Sequence, residues 1–321
     1  MKCPYCNQDH PNGYKFCPNT GKAIDNQFNA CTNEDCPDFG KYVLPLDSKF
    51  CPKCGSPIKN SAQIFTTTTI GEDTITFKVN GVSFSMIKVE AGSFDMGDDE
   101  NTDAPSHEVN ITHDYYIGET VVTNELALAI LTDKNGVDEF GCLDEDDIDE
   151  MKDNPNLPLV NVSWYTAKSL IRILKKITGE NFNLPTEAEW EFAARGGNKS
   201  ENYSFSGSDD LDDVAWYAEN SDFELQEVAS KEPNELGLYD MSGLIGEWCS
   251  DWYDEDYYDN SPKNNPRGPK KGDTKVIRGG SISLEDECGV CWRGDHVPYG
   301  EHEKIGFRLF LKFVNDKIWQ K

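Results

Sequence analysis

The sequence predicts a large, loop-rich α+β domain preceded by small, metal-folded modules at the amino terminus. From Phe84 onward, short β-type runs alternate with glycine turns, and only two segments have a convincing helical pattern. Seven of the eleven cysteines lie before residue 55, in spacings typical of metal ligands. A chain of 321 residues is too long for one typical core, and it suits a small module followed by a large domain.

Residues 27–59 contain four cysteines with the spacing of a zinc ribbon. Zinc prefers four soft ligands in a tetrahedron, and short knuckles supply them by turning the backbone around the ion. The predicted zinc ligands of this module are Cys31, Cys36, Cys51 and Cys54. Reduced structural cysteines are the alternative, but they would rarely fall at this spacing.

Residues 1–26 form a second, less regular cysteine cluster, in which Thr20 stands where a fourth cysteine would fall. A histidine between the two halves offers the missing ligand through an imidazole nitrogen. The predicted zinc ligands are Cys3, Cys6, His10 and Cys17, and a degenerate ribbon without metal is the alternative. Both clusters resemble the paired zinc ribbons appended to many bacterial proteins, in which metal supplies the folding energy and the usual role is docking to a protein.

Residues 60–83 are expected to form a linker and a first hairpin. Thr66–Ile70 and Thr74–Val79 are rich in β-branched residues, which favour strands. Asn80-Gly81 is a strong signal for the two-residue turn of a hairpin. The large domain is expected over residues 84–315.

The two predicted helices both begin at recognisable caps. Ser163 can cap the first of them, and Thr186 with Glu189 has the spacing of a capping box that starts the second. The apolar positions that repeat at helical spacing in the first helix are Ala167, Leu170, Ile171 and Leu174. We expect both to be core helices without a catalytic task.

Charge and hydropathy exclude several classes of protein. The chain has 58 acidic and 30 basic residues, a net charge of −28, which repels phosphate backbones and disfavours nucleic-acid binding by the large domain. No apolar run is long enough to span a membrane, and the first residues lack the apolar stretch of a secretory signal. Thiolates at metal spacing favour zinc in a reducing compartment, so we expect a cytoplasmic protein.

The large domain contains a series of motifs that are similar to those of a known family. The motifs, in chain order, are Val89–Gly97, Pro158–Trp164, Leu184–Glu191, Gly237–Gly243, Glu247-Trp248, Arg278–Ser281 and Ile305–Leu309. Their order and spacing resemble the formylglycine-generating enzyme family, also called sulfatase-modifying factors. The resemblance implies a C-type-lectin-like fold with a short twisted sheet, two helices and long irregular loops.

The same resemblance implies copper chemistry, but this chain departs from the family at the relevant cysteines. Family enzymes oxidise a sulfatase cysteine to formylglycine with two cysteines understood to bind copper(I), a soft ion that prefers thiolates. These cysteines fall three and eight residues after the motif serine, here Ser281, where this chain has Leu284 and Gly289. Cys288 and Cys291 form an alternative pair whose spacing could bind a metal, so they are the catalytic candidates, and copper is not expected.

A second departure concerns calcium. Family members commonly have Asn as a hard oxygen ligand where this chain has Leu244, and leucine cannot replace it. Glu247 remains as a candidate calcium ligand, with help from backbone carbonyls.

The segment of residues 282–304 is expected to run through the exposed face where lectin-like folds bind ligands. Exposed aromatic and arginine side chains are typical of binding hot spots. The candidate ligand-binding residues are Trp292, Arg293, Asp295, His296, Tyr299, Glu301 and His302. Similar segments in this fold form the diversified binding surface of retroelement-targeted proteins, and a structural loop with a buried tryptophan is the alternative.

These observations favour a non-catalytic protein that binds a protein or small ligand through this segment. The first alternative is a divergent oxidase that uses Cys288 and Cys291. The second is an adaptor in which the zinc ribbons do all the recognition.

Overall fold

The computed structural model describes residues 28–29, 44–45, 65–71, 73–98, 104–131 and 145–312. The chain divides into two compact units, Met1–Gln63 and Ile64–Lys321. In the first unit, strand β1 (Phe28–Asn29) pairs antiparallel with β2 (Leu44–Pro45). The predicted zinc ligands lie outside the described residues; they are Cys3, Cys6, His10, Cys17, Cys31, Cys36, Cys51 and Cys54.

A six-stranded antiparallel sheet forms one layer of the second unit. Its strands are β3 (Phe65–Ile70), β4 (Thr74–Val79), β5 (Val82–Val89), β8 (Tyr115–Gly118), β9 (Phe182–Asn183) and β14 (Phe310–Lys312). Their order across the sheet is β3-β4-β5-β8-β14-β9. Asn80 and Gly81 join β4 to β5, both at positive φ, as a type I′ hairpin turn requires. The region predicted as a linker and hairpin therefore contributes the edge of this sheet.

A second sheet has four strands, β10 (Gly246–Trp252), β11 (Lys275–Arg278), β12 (Gly294–His296) and β13 (Ile305–Gly306). Their order is β12-β11-β10-β13, and β13 runs parallel to β10. A separate ribbon pairs β6 (Gly92–Met96) with β7 (His107–Ile111). Long loops connect these short strands, and the loops carry most of the predicted site residues that lie in the described part of the chain.

The two predicted helices are present. Helix α3 (Trp164–Thr178) begins at Ser163, whose side chain accepts from the Thr166 amide. Helix α4 (Glu187–Ala194) begins at Thr186 with the full capping box to Glu189. The other helices in the described ranges are α1 (Asn124–Ile130), α2 (Glu145–Asp153), α5 (Leu211–Val214) and α6 (Ala218–Ser221), with 3₁₀ turns at Gly197–Lys199, Tyr258–Asn260 and Glu285–Glu287. None of the helices described here is long and apolar enough to cross a membrane.

Among the described residues, the core consists mainly of two apolar clusters. One lies between the six-stranded sheet and helices α1 and α3, and it includes Phe77, Phe182 and Leu174. The other surrounds helix α4 and includes Trp190 and Met241. Every residue of α4 is buried, so its sequence lacks the one-sided apolar pattern of a surface helix. Its three glutamates are buried as well, and they need partners.

Candidate functional site

Two buried arginines anchor the segment of residues 282–304 to helix α4. Arg278 Nη1 lies 3.0 Å from Glu187 Oε1, and Arg278 Nη2 lies 2.7 Å from Glu191 Oε2. Arg293 donates to both Glu187 oxygens, at 2.7 and 3.1 Å. Burial raises the pKa of Glu187, but Arg293 and Arg278 outweigh it, and the net pKa is lowered. Glu187 therefore stays ionised and holds both ends of the loop that separates the two arginines.

The glycines after Arg278 explain the Arg-Gly-Gly-Ser motif. Gly279 and Gly280 both have positive φ, at 97° and 72°. A Cβ on Gly280 would lie 2.5 Å from the Glu287 carbonyl oxygen. Only glycine fits where the following loop approaches this closely.

A second buried ion pair joins Arg308 to Glu247. Arg308 Nη2 lies 2.8 Å from Glu247 Oε1, and its Nε lies 3.0 Å from Oε2. Trp190 Nε1 also donates to Glu247 Oε2, at 2.8 Å. The remaining guanidinium donors reach backbone carbonyls, including those of Gly118 and Tyr239. Both oxygens of Glu247, the candidate calcium ligand, already accept from cationic or indole donors, so calcium there would have to displace Arg308.

Leu244, which stands where the family commonly has Asn, is fully buried in an apolar cluster. It packs with Val121 and Ile245, and its φ is 61°, a left-handed conformation that Asn adopts more readily than leucine. Among the described residues, no group of three or more His, Cys, Asp or Glu is arranged to hold a metal ion.

A cleft of about 900 Å³ lies beside strand β6 and residues 285–291. Cys291 lines it, and its Sγ donates to Asp98 Oδ2 at 3.7 Å. Burial raises the pKa of the Cys291 thiol. Arg195, also on the cleft wall, donates to the Gly97 carbonyl at 2.9 Å. Among the described residues that line the cleft, there is thus one thiol, and it lies beside a carboxylate.

Cys288, the other catalytic candidate, occupies a different environment. It is fully buried among Leu211, Ala215 and Tyr217, and its Sγ donates to the Leu284 carbonyl at 3.5 Å. Burial raises its pKa to about 12, with help from Glu287 and Glu285. It is absent from the lining of the Cys291 cleft. The side chain of Leu284, at the position of the family's first cysteine, is 57% exposed.

The residues predicted to bind a ligand divide into buried and exposed groups. Arg293 is buried and bound by Glu187, so it positions the segment and its guanidinium is not presented to solvent. Trp292 is half-buried against the core, and His296 is half-buried between Trp248 and His302, with ring centres 6.0 and 6.1 Å apart. The exposed members are Asp295, Tyr299, Glu301 and His302.

Two exposed aromatic residues beside this segment escaped the sequence analysis. The Tyr165 amide donates to the Pro298 carbonyl at 3.4 Å, and the side chain of Tyr165 is 53% exposed. Phe223 is 62% exposed, and Lys304 Nζ lies 5.9 Å from the centre of its ring. Tyr165 could have been suspected from its outward position on helix α3, whereas nothing in the local sequence marks Phe223.

The fold and site define a mixed α/β scaffold on which strand β12 and long loops, anchored by buried ion pairs, carry the candidate binding residues. The chain belongs to the family described as "Sulfatase-modifying factor enzyme 1-like domain", whose model matches residues 76–313. This confirms the predicted family.

Several known proteins are similar to this chain. The formylglycine-generating enzyme of Streptomyces coelicolor is 36% identical over 171 residues, which cover 48% of this chain and 52% of that enzyme. The serine/threonine-protein kinase pkn1 of Chlamydia pneumoniae is 31% identical over 241 residues, 70% of this chain and 37% of the kinase. The match therefore spans about half, or less, of these relatives.

Two solved structures share the fold. Treponema denticola variable protein 1 has a TM-score of 0.64 and 28% identity, covering 77% of this chain and 100% of that one. PvdO from Pseudomonas aeruginosa has a TM-score of 0.60 and 23% identity, covering 71% of this chain and 94% of the other. These neighbours confirm the predicted mixed fold with its C-type-lectin-like character.

Proposed function

We propose that this domain binds a protein or other ligand through the segment of residues 282–304 and does not carry out copper-dependent cysteine oxidation. The observation that carries the proposal is the separation of the thiols. Cys288 packs in an apolar cluster, Cys291 lines the cleft, and Leu284 occupies the position of the family's first cysteine.

The chemistry of copper(I) supports the proposal. Copper(I) is held by thiolates that converge on one open coordination position. Burial raises the pKa of both Cys288 and Cys291, so each thiol resists the deprotonation that copper(I) binding requires. Two such thiols in separate environments are a poor copper(I) ligand set.

The similarity to Treponema denticola variable protein 1 supports a binding function on this scaffold, and a diversified surface is part of the proposal. Within the segment, Asp295, Tyr299, Glu301 and His302 are exposed and would contact the ligand. Arg293 would keep the loop in one conformation, which reduces the entropy lost on binding.

The test is a copper(I) titration against a chromogenic chelator, together with oxygen consumption in the presence of a cysteine-containing peptide. Because the amino-terminal cysteines can also bind copper(I), we expect the wild type and Cys288→Ser/Cys291→Ser to bind the same amount of copper(I), and we expect no turnover above a protein-free copper control. Turnover that is abolished in Cys288→Ser or Cys291→Ser would overturn the proposal.

A divergent oxidase is the second candidate, and the open cleft beside Cys291 is the observation that favours it. The two cysteine variants distinguish an oxidase that uses one thiol from an oxidase that uses two. Turnover that survives Cys288→Ser but is lost in Cys291→Ser would assign chemistry to the single cleft thiol, whereas loss in both variants would indicate a pair.

We also propose structural zinc in the amino-terminal modules, docking of a protein by these modules, and a cytoplasmic location. The support is the cysteine spacing before residue 55, which favours zinc in a reducing compartment. An adaptor role for the modules makes a separate prediction: deleting residues 1–60 would then remove partner binding, whereas recognition by residues 282–304 would survive the deletion.

A further inference from the structure

We propose that four exposed hydrophobic side chains, those of Tyr165, Phe223, Leu284 and Tyr299, form a docking surface for a protein segment that carries lysine or arginine beside apolar residues. We call these four residues the hydrophobic patch. The inference rests on the proposed function, because the patch extends the binding segment to neighbouring elements. It adds the class of partner and the residues outside the segment that would contact it.

The four residues stand out by exposure. Among the residues whose side chains the structure describes, they are the large hydrophobic side chains that remain mostly in solvent, at 53, 62, 57 and 75% exposed respectively. They are far apart in sequence, on helix α3, after helix α6 and within the segment of residues 282–304. Isolated exposed hydrophobic residues are ordinary, but a concentration of them at one face marks an interaction site.

Two of the residues meet at one end of the segment. Tyr299 follows Pro298, whose carbonyl accepts from the Tyr165 amide at 3.4 Å. The Asn161 amide donates to the His302 carbonyl at 3.1 Å. The start of helix α3 is therefore held against residues 298–302, which brings the backbone of Tyr165 next to the residue that precedes Tyr299.

The other two residues are linked through Lys304, at the same carboxyl-terminal end of the segment. Lys304 Nζ lies 5.9 Å from the centre of the Phe223 ring. Burial raises the pKa of Glu287, and the positive charge of Lys304 acts in the other direction and lowers it. Lys304 therefore also lies near Glu287. The Glu287 amide in turn donates to the Leu284 carbonyl at 3.4 Å. Lys304 thus connects Phe223 to the turn that carries Leu284.

The backbone at Phe223 gives an independent reason to assign it a role. Asp222 and Phe223 have φ values of 55° and 62°. Two successive residues in the left-handed region are costly, and more so when one is aromatic. This geometry places an exposed phenylalanine at the surface without burying it, and such costs are characteristic of binding loops.

Charge around the patch selects the partner. The segment of residues 282–304 has six acids and two bases. One base, Arg293, is buried against Glu187, and the other, Lys304, is half-buried. The exposed acids of the segment are Glu285, Asp286, Asp295, Glu301 and Glu303. A complementary surface is therefore apolar at its centre and basic at its rim.

The same observations argue against other occupants. The linings of the 900 Å³ cleft and of the neighbouring cavity of about 490 Å³ do not include Tyr165, Phe223 or Tyr299, so the patch is separate from these two cavities. Nucleic acids and anionic lipid surfaces are repelled by the acidic rim. A protein segment with apolar and basic side chains can pack against the apolar residues of the patch and pair with the acidic residues around it.

The experiment selects short random peptides displayed on phage against the full-length protein, with depletion on the double variant Tyr299→Ser/Phe223→Ser. We expect the selected peptides to be enriched in lysine or arginine next to aromatic or aliphatic residues. Each single variant should weaken a selected peptide by about tenfold or more. Because the substituted side chains are exposed, both variants should keep the melting temperature of the wild type.

Charge variants and a cleft variant separate the possible outcomes. Glu301→Lys should weaken the selected peptides, whereas Asp73→Lys, the same reversal at the turn between β3 and β4, should not. Patch-dependent peptides without a basic bias would overturn the partner class but leave the proposed function standing. Peptides from a parallel selection without depletion that ignore the patch variants and Glu301→Lys but depend on Tyr203, a cleft residue outside the segment, tested with Tyr203→Ser, would overturn both, as recognition would then lie outside residues 282–304. A selection without patch-dependent peptides would overturn the inference alone.

Discussion

Asp251 on strand β10 is a buried carboxyl group whose replacement by asparagine should stabilise the protein in a pH-dependent way. Its side chain is 3% exposed, and Ser250 Oγ donates to Oδ2 at 2.8 Å. The backbone amide of Glu187 also donates to this carboxyl group. Burial, reinforced by the negative charge of Glu187, raises the pKa of Asp251 from 3.8 to about 8.

The sign and size of the effect follow from proton linkage. Between the two pKa values, the folded chain keeps the Asp251 proton and the unfolded chain has lost it, so stability falls as the pH rises. Each pH unit is worth about 1.4 kcal/mol. Asp251 therefore costs about 4 kcal/mol at pH 7, and this cost disappears near pH 4. Asparagine keeps an acceptor for the Glu187 amide but cannot ionise.

The measurement is urea unfolding at several pH values between 4 and 8, followed by tryptophan fluorescence. All seven tryptophans lie beyond residue 63, so the signal reports on the second unit. Asp251→Asn should raise the free energy of unfolding by up to about 4 kcal/mol at pH 7 and leave it unchanged near pH 4. Asp273→Asn, at an exposed position, is the control. Parallel curves for wild type and Asp251→Asn would refute the reasoning, as would a less stable variant at pH 7.

Three further outcomes are expected. Arg308→Met should lower the free energy of unfolding by about 3–5 kcal/mol because it leaves the charge of Glu247 buried and unpaired, whereas the exposed Arg267→Met should change it by less than about 0.5 kcal/mol. Leu244→Asn should lower the melting temperature because it buries an amide among apolar side chains. If added calcium restored the melting temperature of this variant, the segment would instead be shown to bind calcium. Elemental analysis should find about one to two zinc ions per chain, and Cys31→Ser should lower the content; an unchanged content would remove that cysteine from the ligand set.

The helices and turns that could be predicted from sequence are those with local signals. Ser163 and the Thr186–Glu189 capping box fix the start of α3 and α4 through contacts within four residues. Asn80-Gly81 fixes the first hairpin in the same way. Helices α1 and α2 were missed because their short, irregular patterns become helical only in the context of the packed core.

In the candidate site, too, the features with a local sequence signal could be predicted, and those that depend on distant contacts could not. The departure at Leu284 could be read from the position of the Arg-Gly-Gly-Ser motif. Arg293 could not be assigned correctly, because a Trp-Arg pair resembles a binding hot spot and its buried partner Glu187 is 106 residues away. Phe223 is exposed and has a left-handed backbone, and no local residue preference predicts that conformation.

Strand β14 has a consequence for how the chain must fold. It is the last strand in the described part of the chain, yet it lies between β8 and β9 in the six-stranded sheet. While the ribosome is still making the protein, β8 and β9 have no common neighbour to join them, and Glu247 has no Arg308. Maturation of this unit therefore has to wait until residue 312 has left the exit tunnel, and until then the nascent chain presents unpaired strand edges to chaperones.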